Sequence, residues 1–514
     1  MDEEQRVAGR LADDLLGDEE CRSEGAGQHH AAALGDPHLA SVRGNRPDAL
    51  DYTIAMLARS GGAILAALLL GAPSASAQGG FFFTRLGSGA RAAGMANAFI
   101  AISDDGTAAS WNPAGLGQLR KPELSVVGTT LGRSGSAEGF RTRDDLAAYS
   151  PTGSSYQSTS LDFASLAVPV TAFGKPLTFQ AAWRRLYTIE YRENISTTRE
   201  PLVPEGPPPL QIRFNTDVWG SVDLLSLAGA VKLTPRLALG ASFNLWRGGW
   251  SEEQWVSQTL LDETNPSEFA RGWQEQDVQG ENLSLGLLLT FPRWSVGVLH
   301  QSPLHSDYRT TLSLETGQAP PAPERRIDGT LEFPRSLGLG GAWRPASRWT
   351  VSLDLTWDDW TEAILDTPDT GRVNLFDELP PDRTSTRDTL SLNGGAECLF
   401  HGEGFVVPLR FGAAWEPQGG RSSYTRDPVN YVMLAAGTGY NTNSLKFDAA
   451  LQYRWTSYRD GASFELGGPS SPYLPQAVGE RNVSEWRLKF SLILRVTDTE
   501  KLRRTVARAF GGGA

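Results

Sequence analysis

Cysteine is almost missing from this chain: 514 residues hold two, Cys21 and Cys398, beside only four methionines and six histidines. A disulfide framework is excluded on that count, and transition-metal sites have few ligands to draw on. Also missing, beyond Ala77, is any uninterrupted apolar run of the roughly 20 residues that a membrane-crossing helix needs. Positive charge is in deficit, with 47 Lys and Arg against 59 Asp and Glu and a net charge of −12. No basic face is therefore available for nucleic acid. What the chain has in quantity is glycine (55), tryptophan (15) and phenylalanine (21).

The one apolar run, Ala63 to Ala72, is short; it follows Met56 and Arg59 and ends in Ala75-Ser76-Ala77. A basic start, a short apolar stretch and an Ala-x-Ala site make residues 56–77 a secretory signal peptide, with cleavage expected before Gln78. Acidic residues ahead of such a run hinder export. Residues 1–55, rich in Asp, Glu, Arg and Gly and without periodicity, are thus read as a non-native or disordered upstream extension, with Met56 as the working start. That extension carries twelve acids and five arginines, and the signal adds Arg59, so −6 of the net −12 belongs to the mature chain. Cys21 leaves with the extension. Cys398 remains alone.

From about Pro122 to Val496 run fourteen stretches of strand-like alternation whose separations alternate between long and short. The long gaps are 132–157, 191–215, 251–274, 314–326, 365–384, 418–427 and 460–481. The short ones are tight turns: Thr234-Pro235, Pro292-Arg293, Pro345-Ala346-Ser347 and Asn441–Ser444. An even number of antiparallel strands with short turns on one side and long loops on the other is the pattern of a transmembrane barrel. One strand reads Trp349, Val351, Leu353, Leu355, Trp357 on one face and Thr350, Ser352, Asp354, Thr356, Asp358 on the other. The stretches 407–415, 445–455 and 486–495 repeat this division. Period-two alternation would also suit a soluble sandwich. Strands of ten to fifteen residues, however, exceed the usual five or six and suffice to cross a bilayer at a tilt of about 45°. Trp246, Trp250, Trp357, Trp360, Trp455 and Tyr458 near long loops, and Trp294 and Trp349 near short turns, are expected to form two interfacial girdles. Charges avoid the apolar face, where Arg or Lys at midplane costs about 2–4 kcal/mol. Backbone groups in lipid need internal partners, so the sheet must close. The expected fold class is all-β: a 14-stranded antiparallel transmembrane β-barrel over 122–496 with a small helical or irregular hatch.

That hatch is residues 78–121, small, apolar and glycine-rich, and headed by Phe81, Phe82 and Phe83, which have no water-facing rationale. Fourteen strands enclose a lumen wider than side chains fill in an eight-strand barrel, so a plug is expected inside it. Here the chain resembles the FadL-type outer-membrane transporters of long-chain fatty acids and other hydrophobic compounds. The resemblance rests on Ala101-Ile102-Ser103-Asp104-Asp105 followed by Asn112-Pro113-Ala114, on Phe333-Pro334-Arg335-Ser336-Leu337-Gly338-Leu339-Gly340 with Trp343-Arg344-Pro345, and on Gly297–Pro303. Related barrels that serve secretion share a similar opening, here Ala96-Asn97-Ala98-Phe99. The resemblance implies a bacterial outer-membrane, multi-pass barrel for passive uptake of fatty acid-like hydrophobic molecules. Outer loops would capture the ligand from among lipid and lipopolysaccharide, an apolar pocket beside the hatch would hold it, and a lateral opening would release it. It implies a monomer without metal or cofactor, and no enzyme. By motif match Asp104, Asp105, Asn112, Pro113 and Ala114 carry over to the hatch, and Phe81–Phe83 to the pocket. Asn-Pro-Ala reads equally as a turn, and Asp104-Asp105 as a helix cap. A secretion or assembly scaffold is the alternative role.

Three further motifs carry less. Gly87-Ser88-Gly89-Ala90-Arg91-Ala92 matches a dinucleotide fingerprint, but no βαβ unit follows. His300 and Ser302 share the outward face of one strand, with His305 and Asp307 close by, which admits a barrel lipid hydrolase; a polar strand end entering a loop is the plainer account. Residues 497–514 form a basic, then Gly-rich, periplasmic tail beyond the last strand, and Phe510 is the one candidate there for a terminal aromatic signal.

Overall fold

Alternation of apolar and polar residues becomes a closed wall in the computed structural model, which describes residues 87–142, 147–204, 209–260, 268–316, 323–422, 425–462 and 477–496. Twenty strands of one antiparallel sheet appear among them, and fourteen close a ring. These are β1 (Glu123–Thr142), β2 (Thr152–Ala172), β3 (Lys175–Thr188), β4 (Leu210–Lys232), β5 (Leu237–Leu260), β6 (Glu268–Thr290) and β7 (Trp294–Gln301). The ring continues with β8 (Ser336–Trp343), β9 (Trp349–Asp358), β10 (Thr389–His401), β11 (Val406–Arg421), β12 (Pro428–Asn441), β13 (Leu445–Ala462) and β14 (Ala477–Arg495). β14 pairs back onto β1 from Glu123↔Arg495 upward, which closes the ring. The chain has the fold of an outer-membrane β-barrel.

Each strand keeps its apolar residues outside. Leu166, Phe179, Leu227, Leu285, Leu339, Leu353, Leu434 and Phe490 are exposed, and Phe411 is 63% exposed, whereas Gln180, Asn244, Ser284, Asp354, Arg410 and Gln452 are buried inside. A soluble protein would invert this arrangement, since exposed apolar area costs about 25 cal/mol per Å² in water. Trp294, Trp343 and Trp349 stand outward near the short turns, and Trp455 near the long loops. Four of the six residues expected in the upper girdle are misplaced, however. Trp246, Trp250, Trp360 and Tyr458 are buried within. Trp246 and Trp250 share the parity of Asn244, and parity rather than nearness to a loop decides which way a strand residue points.

The expected long loops are also largely strand. β1 and β2 run through most of 132–157, a strand at Tyr191–Pro201 fills the gap before β4, and β5 and β6 leave only a short connection. Along Thr152–Leu161 the side chains are polar on both faces, so hydrophobic period gives no signal while the backbone ladder continues. Above β7 and β8 the wall carries on as Leu304–Thr316 and Arg325–Phe333, interrupted at Pro303 and Pro334, which lack the N–H a ladder needs. After β9 the chain folds into a three-residue 3₁₀ turn at Trp360–Glu362, then Ile364–Thr367 and Gly371–Asn374, before returning at β10. Trp360, Leu365 and Val373 of this loop join Tyr187, Trp246 and Phe333 of the wall in one large apolar cluster. Residues 1–55, the signal segment, Phe81–Phe83 and the tail 497–514 lie outside the described residues.

Candidate functional site

Residues 87–121 occupy the lumen. Their regular pieces are short: α1 at Ala90–Gly94, then 3₁₀ turns at Ala108–Ser110 and Pro113–Gln118. A helix this short is marginal alone, so docking must hold it. Wall side chains supply that docking by reaching in to backbone carbonyls. Gln452 donates to Ala93 (3.1 Å), Asn393 to Ala96 (2.8 Å), Ser295 to Ala101 (2.7 Å), and Ser165 and Gln180 both to Gly106 (2.8 and 2.6 Å). Asp354 does the reverse, accepting the N–H groups of Phe99 (2.6 Å) and Ile100 (2.8 Å). Buried backbone polar groups must be paired, and here the barrel pairs them.

Asn112 both caps a turn and tethers it. Its Oδ1 accepts the Ala114 N–H at 3.1 Å and caps the 3₁₀ turn, with Pro113 at the first position where no N–H is required. Its Nδ2 donates to the Ile100 and Leu287 carbonyls, both at 3.1 Å, which ties the turn to the rest of the segment and to β6. Ala114 is fully buried against Ala238 and Leu288. Asp105 closes an Asx turn, accepting the Thr107 N–H (3.0 Å) and hydroxyl (2.7 Å). Burial alone would raise the Asp105 carboxyl. The Lys446 and Arg91 charges and the Thr107 hydrogen bonds hold it below the usual carboxylate range. Asp104 pairs with Arg91.

Arg91 is the hub. Its Nε and Nη2 clamp Glu397 at 3.0 and 2.9 Å, and its guanidinium lies 5.4 Å from the Phe99 ring centre. Glu397 also accepts Arg410 Nε at 2.7 Å, and Arg410, 0% exposed, reaches Asp448 at 2.8 Å. Bidentate geometry of this kind is what compensates the desolvation of buried charges. The dinucleotide-like run around Arg91 therefore folds the segment, without a βαβ unit.

Glycines let the segment come this close. A Cβ on Gly395 would lie 2.6 Å from Met95 Cβ, one on Gly412 2.5 Å from Met95 C, one on Gly297 2.5 Å from Ile100 O, and one on Gly286 against Asn112 Oδ1. Sequence reasoning gave none of these a docking role, nor Asp354, Asn393 or Gln452. Their shared inward parity at one height was the signal that could have found them.

The wall itself changes character at Asp162. Val127 faces Phe163 and Gly128 faces Leu161, leaving Asp162 as an extra residue, a β-bulge. The β2–β3 ladder stops just there, at Phe163↔Arg184. Above it, among the described residues, β2 pairs with β1 alone, and Tyr191–Pro201 pairs with β4 and with Ala147–Tyr149. Tyr156, whose hydroxyl donates to the Glu190 carbonyl, bridges this break in the ladder.

The strand end that carries His300 and Ser302 is held by its polar groups. Ser302 Oγ accepts the Leu283 N–H (3.0 Å) and donates to the Pro303 carbonyl (3.2 Å), fastening the strand end, while His305 Nδ1 lies 3.7 Å from Glu332.

A closed, apolar-belted barrel with an occupied lumen defines the class as a transmembrane β-barrel of the outer-membrane type. No protein-family model matches the chain, and no curated protein sequence matches it. Among solved structures it is similar to a FadL homologue of Pseudomonas aeruginosa, at a TM-score of 0.57 and 13% identity over 81% of this chain and 100% of the other. It is similar as well to the monoaromatic hydrocarbon channel CymD (TM-score 0.50, 14% identity, 81% and 99% covered) and to a TodX deltaS2S3 mutant channel (0.52, 15%, 80% and 99%). The fold is that of the FadL-type channels.

Proposed function

We propose that the protein is a non-enzymatic outer-membrane channel for passive uptake of hydrophobic molecules, with residues 87–121 as the plug that denies polar solutes a direct path. The observation carrying this reading is the break in the β2–β3 ladder above the Asp162 bulge, next to an apolar lumen half and behind an occupied lumen. An apolar molecule would gather beneath the loop at Trp360–Asn374, move along Tyr187, Leu224, Trp246 and Phe333, and leave sideways where the ladder ends at Phe163 and Arg184. Leu161, exposed on the outer face beside that point, fits release into lipid rather than water. Lipopolysaccharide would be the surrounding outer leaflet, and one chain suffices to form the route.

Asn112, Pro113 and Ala114 would act as the latch of the plug, and Asp104 and Asp105 as the partners that fix Arg91. CymD and TodX are named as monoaromatic hydrocarbon channels, which makes small apolar compounds, alongside fatty acid-like ones, the first cargo to try. Cells carrying the barrel should take up labelled toluene or a labelled long-chain fatty acid faster than cells without it, and a disulfide engineered across β2 and Tyr191–Pro201 should slow that entry. Equal uptake in both strains, together with free passage of small sugars into proteoliposomes, would oppose the reading.

A further inference from the structure

Between the lumenal segment and the in-folded loop lies a cavity of about 160 Å³. Apolar groups wall one part of it: Ile100 and Trp111 from below, Leu186 and Leu299 from the barrel, and Trp360 and Phe376 from the loop. The two loop rings meet edge to face with centres 5.3 Å apart. Charge on the lining is unbalanced. Three carboxylates, Asp354, Asp358 and Glu416, face one guanidinium, Arg184, whose Nη1 donates to the Ser110 carbonyl at 3.2 Å. Glu416 has Arg454 at 3.6 Å. Asp354 is 1% exposed, spends Oδ2 on two backbone N–H groups, and has no hydrogen-bond partner at Oδ1. Among the described residues no Lys or Arg forms an ion pair with it.

We propose that this cavity binds molecules that join an apolar body to one positive charge, a protonated or quaternary amine. The inference rests on the channel reading and names its preferred cargo. A neutral hydrocarbon would fill the space but leave the Asp354 oxygen uncompensated, and a buried polar atom left unpaired is costly. An anionic head would meet carboxylates. A cation answers the unpaired Asp354 oxygen, and the aromatic rings of Trp360, Phe376 and Trp111 on the lining favour a cation as well. The size is suitable too, since a dry cavity of about 150 Å³ admits a benzene-sized molecule. An ammonium head with its first carbons would fit here, and the remaining chain would follow the apolar cluster.

The test uses the barrel in nanodiscs and three probes of one chain length, decyltrimethylammonium, decanol and decanoate, each below its micelle concentration and titrated calorimetrically. The ammonium should bind at least about tenfold tighter than decanoate, with decanol between them. Asp358→Asn and Asp354→Asn should each reduce that preference to about threefold or less, and decanol affinity within about twofold of the parent in Asp358→Asn reports that the cavity is intact. Decanoate binding as well as or better than the ammonium to the unmodified barrel would overturn the inference, as would a preference that survives both substitutions. Toluene entry into cells decides the channel reading separately: normal entry without cation preference removes only the present inference, and absent entry removes the reading beneath it.

Discussion

Gly394 and Gly395 are neighbours on β10 with opposite duties, and exchanging each for alanine isolates what holds the lumenal segment. A Cβ on Gly394 points to the membrane side and meets Leu353 Cδ1 at 3.6 Å and the Ala413 carbonyl at 3.9 Å, ordinary van der Waals contacts. A Cβ on Gly395 points inward and would lie 2.6 Å from Met95 Cβ and 2.8 Å from Met95 Cα. Neither glycine has a positive φ, so alanine suits the strand at both. The segment cannot yield cheaply, because Ala96 and Asn97 already sit at φ 50° and 67° and the Ala96 carbonyl takes its hydrogen bond from Asn393. Overpacking of this kind costs about 1–3 kcal/mol, and losing the Asn393 bond leaves a buried carbonyl unpaired at about 1–3 kcal/mol more. Gly395→Ala should therefore weaken docking of the segment by about 2–6 kcal/mol, whereas Gly394→Ala should stay within about 0.5 kcal/mol. At 1.4 kcal/mol per factor of ten, the undocked population rises by roughly one to four orders of magnitude. Single-barrel conductance in planar bilayers reads this directly: frequent opening for Gly395→Ala, quiet traces for Gly394→Ala and the parent. Equal conductance in all three, with a folded barrel by heat-modifiable gel mobility, would refute the docking argument.

Arg91→Met should also raise conductance, at a cost of about 2–4 kcal/mol that is below the usual figure for a broken buried pair because Glu397 keeps Arg410; adding Glu397→Gln should recover part of it, and strict additivity in the double mutant would argue against coupling. In the loop, burial first and the Asp377 charge second push the Glu378 carboxyl up to about 7, and its Oε1 is enclosed without a partner. A carboxyl raised on folding supports the loop fully below its ordinary value near 4.5 and loses that support as pH rises through about 7. Trypsin cleavage at Arg372 or Arg383 should accordingly speed up from pH about 5 to about 8 by more than the protease's own profile, and Glu378→Gln should flatten that excess; an unchanged slope in the variant would count against it. Ser302→Ala should lose about 1 kcal/mol of stability through its bond from Leu283 and change no lipid hydrolysis. Hydrolysis that vanished with the hydroxyl would reopen the enzymatic alternative.

The barrel was legible because alternation across Trp349–Trp357 or Leu445–Trp455 is a statement about two solvents, lipid and a polar lumen, repeated strand after strand. Tight turns such as Pro292-Arg293 were legible from their own chemistry. The strand extensions were not, since Thr152–Leu161 offers polar groups to both sides and only the ladder keeps it straight. The inward tryptophans were misjudged for want of parity. Within the lumenal segment, Asn112 and Asp105 were singled out by motif resemblance, and the turn chemistry offered as the plainer account is local. Gly395, Gly412, Asn393 and Asp354 were missed because their meaning depends on what stands across the lumen, hundreds of residues away in sequence.

A fourteen-strand barrel leaves more interior than wall side chains fill, and this chain fills it with two different materials. On the side of β10–β14 long charged arms line the inner wall in pairs: Arg410 with Glu397 and Asp448, Arg454 with Glu485, Lys489 with Asp162. On the side of β3–β9 the filler is apolar, a loop carrying Trp360 and Leu365 folded onto Tyr187, Trp246 and Phe333. The charged half is stiff, because loosening any arm leaves an uncompensated buried charge. Apolar contacts are non-directional and can be exchanged for those of an apolar guest at little cost. A molecule entering the lumen would therefore displace the loop side and leave the ion-pair side standing, and the break beyond Phe163 and Arg184 borders that displaceable half. Lesions in the two halves should separate accordingly. Removing Arg91, which joins these arms through Glu397, should open a leak to polar solutes, whereas trimming Trp360 or Phe376 should alter which apolar molecules are held, with the seal intact.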